Sequence, residues 1–460
     1  MFINHDYINS ILEETKNPTR EESLQVIEKA RKREKLDYRD IAILLATKEK
    51  DVEKEIFKIA GEIKEEIYGK RIVIFAPLYV SDYCVNKCVY CGYQCNNKFE
   101  RKKLTQEEVA EEVRLLEAMG HKRLVLELGE DPVNAPIEYV LECIDTMYKT
   151  QNGNGEIRRT NVNIAATSVE NYRKLYEKGI GTYVLFQETY NKPMYEKAHP
   201  NSLKSDYEYH LTAFDRAMEA GIEDVGAGVL FGLADPRFEV LGLMMHNDHL
   251  EEKYGVGFHT ISVPRIREAA GVDLEELPYL LDDETFKRVV AVIRIAVPFT
   301  GLMITERETP ELRKEIMTYG ISQISVGSTT VIGGYKKRAN NEDSDEQFKL
   351  FDVETDSMSA IEQLIDDGYI PSFCTACYRK GRVGDRFMSL AKSGEIQKVC
   401  EPNAITTLVE YAIDYGDERF KEKAINFARK IASDIKNENT RKITEENIDN
   451  LLNGKRDLYI

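Results

Sequence analysis

The stretch "YCVNKCVYCGYQC", residues 83–95, places four cysteines within thirteen positions of a 460-residue chain that has eight in all. Its first three thiols, those of Cys84, Cys88 and Cys91, have the spacing C-x3-C-x2-C. The apolar and β-branched run "IVIFAPLY", residues 72–79, comes directly before it and predicts a strand. The cysteines therefore belong to a loop that follows a strand, and their spacing indicates a metal or redox site.

Outward from this loop, further short apolar or β-branched runs alternate with amphipathic helical stretches. Eight strands that alternate with helices predict parallel βαβ units, and that number fits an α/β fold of the (β/α)8 barrel type. A doubly wound open sheet is the alternative that the pattern leaves open. The predicted strands lie at 72–79, 123–130, 162–167, 182–189, 225–232, 259–266, 301–305 and 323–328.

Barrel enzymes place their sites at the C-terminal ends of the strands. Polar residues that end the predicted strands should therefore meet at one mouth. They are Tyr79, Glu130, Glu188, Arg307 and Ser325.

The regions on either side of the predicted barrel differ from it. Residues 1–70 have helical periodicity and no strand-like run, and residues 346–460 are mainly helical and hold three more cysteines. We therefore predict an N-terminal helical segment (1–70), a barrel (71–345) and a C-terminal cluster-binding domain (346–460).

Composition excludes several classes of function. The hydrophobic fraction of 42% and the charged fraction of 31% are typical of a globular protein. A net charge of −17 argues against nucleic acid or an anionic membrane as the main partner. The polar N-terminus has no signal-peptide pattern, so we expect a cytoplasmic, reducing location. Clustered cysteines there indicate metal or redox chemistry rather than disulfides.

The first cysteine group fits an iron–sulfur cluster. Three thiolates from one loop bind three irons of a 4Fe–4S cluster and leave the fourth iron open. A local zinc site with Cys95 as fourth ligand is an alternative. A thioredoxin-type motif explains the loop less well, because the third cysteine then has no role.

The second cysteine group, Cys374, Cys377 and Cys400, has the spacing C-x2-C-x22-C. Three thiols again leave a site one ligand short. A second iron–sulfur cluster, a zinc ion completed by His259, and a coincidence of spacing all stay open on this evidence.

The C-x3-C-x2-C motif after the first strand resembles the radical S-adenosylmethionine (SAM) superfamily. That resemblance implies that SAM chelates the open iron and is cleaved by one electron to methionine and a 5′-deoxyadenosyl radical. It also implies that Tyr90 lines the adenine pocket, that Glu130 accepts a hydrogen bond from the SAM amino group, and that Asn163 and Glu188 are further SAM contacts.

Longer segments resemble the tyrosine lyases of hydrogenase maturation (HydG type). They include "SFCTACYRKGRVGDRFMSLAKSGEIQKVCEPNA", "DVGAGVLFGLADPRFEVLGL", "FHTISVPRIREA" and "GKRDLYI". The resemblance implies cleavage of L-tyrosine to p-cresol and dehydroglycine, followed by formation of CO and cyanide for the FeFe-hydrogenase. It implies a second 4Fe–4S cluster with a labile extra iron that His259 ligates. Low-potential ferredoxin and other maturation factors are the implied partners.

A tyrosine zwitterion needs a cation for its carboxylate, and a guanidinium binds carboxylates best. We assign this role to Arg307, as in related lyases, and expect Ser325 and Tyr79 to hold the carboxylate and the amine. The chain departs from the family pattern at Glu306, Thr329 and Asn191, where Thr, Arg and His are usual. These departures put the substrate and the CO and cyanide step in question.

Three other functions stay open. A thiamine-pathway tyrosine lyase performs the same cleavage but needs no second cluster, so the second cysteine group weighs against it. A paralogue that acts on another aromatic amino acid has the same motifs. A zinc-stabilised scaffold without catalysis is the third alternative.

Overall fold

The computed structural model describes residues 2–343, 347–351 and 356–460. Its centre is a closed barrel of eight parallel strands in which each strand pairs with the next along the chain. The last strand pairs with the first, with Ile74 opposite Ile324, and this pairing closes the barrel. The predicted (β/α)8 barrel is confirmed, and the open-sheet alternative is wrong. The strands are β1 (Arg71–Ser81), β2 (Arg123–Leu128), β3 (Arg159–Asn163), β4 (Tyr183–Glu188), β5 (Val225–Val229), β6 (Thr260–Ser262), β7 (Gly301–Ile304) and β8 (Gln323–Ser325).

Helices surround the barrel because each βα unit returns the chain to the same end of the sheet. Their apolar faces pack on the strands, which are buried on both sides. The helices of this region are α5 (Gln106–Ala118), α6 (Ile137–Lys149), α7 (Val169–Glu177), α8 (Lys192–Ala198), α9 (Tyr207–Leu211), α10 (Ala213–Glu219), α11 (Pro236–Tyr254), α12 (Asp283–Ala296), α13 (Pro310–Met317) and α14 (Gly334–Ala339).

Strand β3 begins earlier in the chain than the apolar pattern predicts. Its first residues, Arg159, Thr160 and Asn161, are polar and yet almost fully buried. A search for apolar runs misses them because they are polar. At the N-terminal end of the barrel, Arg159 Nε donates to Asn161 Oδ1 at 3.2 Å. The N-terminal ends of the strands form the end that we call the floor, and the C-terminal ends form the mouth.

The N-terminal region is helical, as predicted. Helix α4 packs on α12 of the barrel through the spaced apolar residues Val52, Ile56, Ile59 and Ile63. The four helices are α1 (His5–Glu14), α2 (Arg20–Arg31), α3 (Tyr38–Ala46) and α4 (Lys50–Tyr68).

The C-terminal region is mainly helical, as predicted, but it also adds a strand. Strand β9 (Ile370–Ser372) pairs in parallel with the start of β1, where Arg71 lies opposite Ile370. A strand of three residues that includes a proline has too weak a pattern to be recognised. The predicted boundary between residues 345 and 346 lies outside the described residues. The helices are α15 (Ser357–Asp366), α16 (Ala376–Arg379), α17 (Gly384–Lys392), α18 (Gln397–Tyr415), α19 (Glu418–Asp434) and α20 (Glu438–Leu452).

Within the described ranges, every helix is too short or too polar to cross a membrane.

Candidate active site

A cavity of about 240 Å³ opens at the mouth of the barrel. Its lining includes nine residues from loops and strand ends that were predicted as site residues. It also includes Lys204, which was not predicted. These ten residues are Tyr79, Cys84, Cys88, Tyr90, Cys91, Glu130, Asn163, Glu188, Lys204 and Arg307.

The first cysteine loop is held by backbone hydrogen bonds and by the side chain of Arg101. The Cys95 amide donates to the Asn86 carbonyl at 2.8 Å, and the Val85 amide donates to the Glu130 carbonyl at 2.9 Å. The Arg101 guanidinium donates to the carbonyls of Tyr93 and Gln94 at 2.7 and 2.6 Å. These bonds fix the loop independently of any metal.

Burial opposes ionisation of the loop thiols. It raises the pKa of Cys91 to about 11, and it raises the pKa of Cys84 and of Cys88 as well. All eight cysteines of the chain are free thiols. A bound metal cation offsets this burial penalty by stabilising the thiolates.

Lys204 is a site residue that the sequence did not reveal. Its ammonium lies 2.7 Å from Glu188 Oε1, and its backbone amide donates to Asn86 Oδ1 at 3.0 Å. Asn86 Nδ2 in turn donates to Glu130 Oε2 at 2.6 Å. Lys204 lies in a short turn far from any strand end, so nothing in the sequence marks it.

Glu188 has an unusual backbone. Its φ of +66° lies in the left-handed region, which costs a non-glycine residue about 1 kcal/mol or more. The adjoining register shift in β4 turns the Glu188 side chain toward the lysine. Strain of this kind is common where a side chain must be aimed at a site.

Tyr90 lies at the cavity wall, and its contact with the adenine of SAM stays a prediction. Its hydroxyl is 2.8 Å from His199 Nε2. Burial lowers the pKa of His199, so this imidazole is neutral and fixes the orientation of the tyrosine.

Arg307 and the partly buried carboxyl group of Glu127 also line the cavity. The Arg307 guanidinium lies 5.1 Å from the Phe348 ring, and its Nε has no hydrogen-bond partner. Tyr79 and Asn163 are both within hydrogen-bonding reach of Glu127, a cavity residue that the sequence analysis missed. Burial raises the pKa of Glu127 to about 7. Its position in "RLVLELGE" resembles any inward residue of a strand.

Ser325 is not among the residues that line the cavity. Its hydroxyl is buried below the mouth and accepts a hydrogen bond from the Glu306 amide at 3.1 Å. Its contact with substrate therefore stays a prediction.

The three departures from the family pattern also lie outside the cavity lining. The Glu306 carboxylate accepts from the amides of Gly327 and Ser328 at 3.0 and 2.8 Å. Thr329 packs beside Gly334, and Asn191 caps helix α8 by accepting from the Met194 amide. All three have structural contacts rather than contacts with the cavity.

The second cysteine group assembles at the opposite end of the barrel. Cys374, Cys377 and Cys400 line one small cavity together with Arg71, the first residue of β1. The pKa of Cys377 is lowered because the Cys400 thiol is hydrogen-bonded to it and Arg382 is near. Cys377 and Cys400, which belong to two different helices, therefore meet in the structure.

His259 lies near this group but is not among the residues that line the cavity of the three thiols. Its ring is 4.5 Å from the ring of Phe387, which packs in one apolar cluster with Cys377 and Cys400. Its Nδ1 is 3.5 Å from Asp224 Oδ1 and has no hydrogen-bond partner. Burial lowers the pKa of His259 to about 4, so the ring is neutral and free to ligate a metal.

Residues 456–460, which we call the tail, hold the second cysteine site from outside. Asp457 forms a paired contact with Arg379 of α16, the helix that carries Cys377, at 2.6 and 2.8 Å. The Ile460 amide donates to Asn403 Oδ1 at 2.8 Å, and Asn403 lines the cysteine cavity. The tail therefore positions both segments that supply thiols.

The two groups of three cysteines fit iron–sulfur clusters better than single metal ions. In the described part of the chain, no three His, Cys, Asp or Glu side chains are close enough together to hold one metal ion. A cubane cluster spreads its thiolate ligands over different irons and so needs wider spacing. Each triad of thiols also leaves one iron open for a further ligand.

Comparisons with known proteins agree with this geometry. Residues 78–239 match the Radical SAM superfamily, and residues 262–370 match the Biotin and Thiamin Synthesis associated domain. The 2-iminoacetate synthase of Salmonella typhimurium is 27% identical over 71% of this chain and 84% of its own length.

Two solved structures are similar over almost the whole chain. The crystal structure of HydG, a maturase of the [FeFe]-hydrogenase, has a TM-score of 0.96 and 53% identity, with both chains fully covered. HydG from Carboxydothermus hydrogenoformans has a TM-score of 0.84 and 37% identity over 96% of this chain and 97% of that one.

Proposed function

The chain belongs to the radical SAM superfamily and, within it, to the HydG-type maturases of FeFe-hydrogenase, and from this premise we propose that it is a tyrosine lyase. It cleaves the Cα–Cβ bond of L-tyrosine to give p-cresol and dehydroglycine. The observation that carries this proposal is the mouth cavity, where three thiols share one lining with the partly buried guanidinium of Arg307 and the partly buried carboxyl group of Glu127.

Cys84, Cys88 and Cys91 would hold a 4Fe–4S cluster, with SAM on its open iron. When bound, this pair supplies a 5′-deoxyadenosyl radical through one-electron cleavage of the sulfonium. Glu130 and Glu188 lie on the cysteine side of the cavity. Asn86 donates to Glu130, and the Lys204 ammonium pairs with Glu188. The Lys204 amide also donates to Asn86, which connects the two carboxylates. We assign to them the polar groups of SAM, and to Tyr90 and Asn163 its nucleoside part.

Arg307 binds the tyrosine carboxylate. Its Nε is unpaired and buried, so a carboxylate there forms a charge-assisted hydrogen bond at little reorganisation cost. This contact places the amine of the substrate toward Tyr79 and Glu127. Hydrogen abstraction requires the amine nitrogen to lie about 3–4 Å from the 5′-carbon.

Glu127 accepts a proton from the substrate ammonium at a carboxylate oxygen. A pKa of about 7 suits a base that must accept a proton near neutral pH. The neutral amine is the form from which a hydrogen atom is removed. Tyr79 orients Glu127 and the amine by hydrogen bonds.

The second stage takes place at the other end of the barrel. Cys374, Cys377, Cys400 and His259 would hold a second 4Fe–4S cluster and its labile iron, on which dehydroglycine yields CO and cyanide for the hydrogenase. An imidazole and three thiolates leave positions open for such ligands. A low-potential ferredoxin as electron donor and other maturation factors as acceptors are part of this proposal.

The test is anaerobic incubation of reconstituted protein with SAM, dithionite and tyrosine. We expect p-cresol and 5′-deoxyadenosine in equal amounts, and haemoglobin added as a trap should report CO. SAM cleavage without p-cresol would show that the substrate is another amino acid.

A thiamine-pathway lyase that releases dehydroglycine is the second candidate, since the Salmonella relative is named 2-iminoacetate synthase. It predicts p-cresol without CO and about four irons per chain instead of eight to nine. The second triad of thiols, which lines one cavity, favours the maturase.

A further inference from the structure

The floor of the barrel buries three arginines. Arg71, Arg123 and Arg159 begin strands β1, β2 and β3, and their exposed fractions are 5%, 1% and 2%. Arg123 and Arg159 lie directly opposite each other in register. Like charges in such positions repel, and a buried charge without a partner costs several kcal/mol.

The protein supplies few negative charges to balance them. Asp224 pairs with Arg159 at 3.5 Å, and Arg123 donates to the neutral amide of Gln323 at 2.9 Å. Glu401 is near Arg71, but it is only partly buried and lies beyond ion-pair distance. Three guanidinium groups therefore share one paired carboxylate.

Arg71 has the fewest partners of the three. Its Nε has no hydrogen-bond partner, and across the described residues it forms no ion pair within 4 Å. Its guanidinium lies 5.6 Å from the Tyr68 ring, a weak contact for a buried charge. A buried cation in this state indicates that a negative group is expected beside it.

The nearest groups that can become negative are the thiols of the second cysteine site. Arg71 lines their cavity and interacts electrostatically with Cys374, Cys377 and Cys400. Thiols ionise when they bind a metal. The mouth is different, because there Lys204 is already paired with Glu188.

We propose that Arg71, backed by Arg123 and Arg159, is the built-in counter-charge of the second cysteine site and holds its thiolates in place when they bind metal. The inference rests on the proposed binding of a second cluster there. It makes Arg71 a positioning residue for that cluster.

The substitution Arg71→Met separates this role from ordinary packing. Methionine fills much of the same space without charge, so the metal-free variant should fold with the circular dichroism spectrum of metal-free wild type. The iron-reconstituted variant should lose most second-site iron and its EPR signal. The first cluster should keep about four irons and cleave SAM as before.

Arg294→Met is the matched control. Arg294 is also fully buried, but it donates to the carbonyls of Gly320, Pro298 and Thr300. Its loss leaves those acceptors unsatisfied and should lower the melting temperature. Arg71→Lys, which keeps the charge, should retain second-site iron.

Two outcomes would overturn the inference. One is full retention of second-site iron by Arg71→Met. The other is an equal loss of second-site iron by Arg294→Met, which would show that packing of a buried arginine, and not its charge beside the thiols, is what the site needs. A wild type that binds only about four irons would instead contradict the proposed second cluster.

Discussion

The two cysteine sites lie at opposite ends of one barrel and are built in opposite ways. The mouth site takes its thiols from a single loop of eight residues, 84–91, which backbone hydrogen bonds and the side chain of Arg101 hold in place. The floor site takes its thiols from α16 and its preceding loop and from α18, which are joined only by tertiary packing. A local motif therefore specifies the first site, whereas the second depends on how the C-terminal region docks.

The two sites also differ in how their buried cations are paired. At the mouth, the cation Lys204 has a carboxylate partner before any ligand binds. At the floor, the cation Arg71 has none. Loss of metal should consequently disturb the floor more than the mouth.

The largest expected effect comes from removing one thiol at each site. Cys88→Ala should abolish both 5′-deoxyadenosine and p-cresol, because radical formation needs the first cluster. Cys377→Ala or His259→Ala should retain p-cresol but lose CO. Product analysis with haemoglobin as the CO trap measures both, and loss of p-cresol in the floor variants would contradict the division of labour between the sites.

Glu127→Gln tests whether the carboxyl group of Glu127 is the base at the mouth site. Burial raises the pKa of Glu127 from 4.5 to about 7, so p-cresol formation by wild type should rise with pH through about 7 as the carboxylate forms. The amide accepts no proton, so we expect a rate about 100-fold lower and no such rise. An unchanged pH profile for p-cresol formation would exclude Glu127 as the base.

The raised pKa of Glu127 also makes the free energy of unfolding depend on pH. A raised pKa means that the folded protein binds this proton more tightly than the unfolded chain does. Wild type should therefore lose stability relative to Glu127→Gln as the pH rises between 4.5 and about 7. Urea unfolding of both proteins at pH 5 and pH 8 measures this difference.

Asp457→Ala tests whether the tail stabilises the second cysteine site and has no effect on the mouth site. Asp457 is one-third exposed and pairs with Arg379 and Arg158. Its loss should lower stability by only about 1 kcal/mol, since partly exposed pairs contribute little. A chelator should then remove second-site iron faster from the variant, whereas the mouth cluster should react as in wild type. Equal rates of iron removal would rule out this role of the tail.

Asn191→Ala should have the smallest effect. Asn191 departs from the family pattern but caps α8 and does not line the cavity. Loss of the cap should cost about 1 kcal/mol in unfolding experiments. The KM for tyrosine should not change, and a several-fold rise in that KM would show that the departure affects substrate binding.

Much of the fold follows from local pattern. All eight barrel strands overlap the predicted runs, because each run is apolar on both faces as parallel strands require. Predictions were weaker where burial involves polar residues. The start of β3 was missed because arginine, threonine and asparagine are buried there.

The sequence by itself determined the eight strands that alternate with helices, the first cysteine loop and the existence of a second cysteine group, since spacing and periodicity are properties of short segments. The pairing of β8 with β1, which closes the barrel, is not a property of any one segment. Only the tertiary structure decided that Lys204 and Glu127 face the mouth and that three arginines meet at the floor. The physical reason is that each of these residues is ordinary in its own segment. Its chemistry comes from charges and partners that distant parts of the chain place beside it.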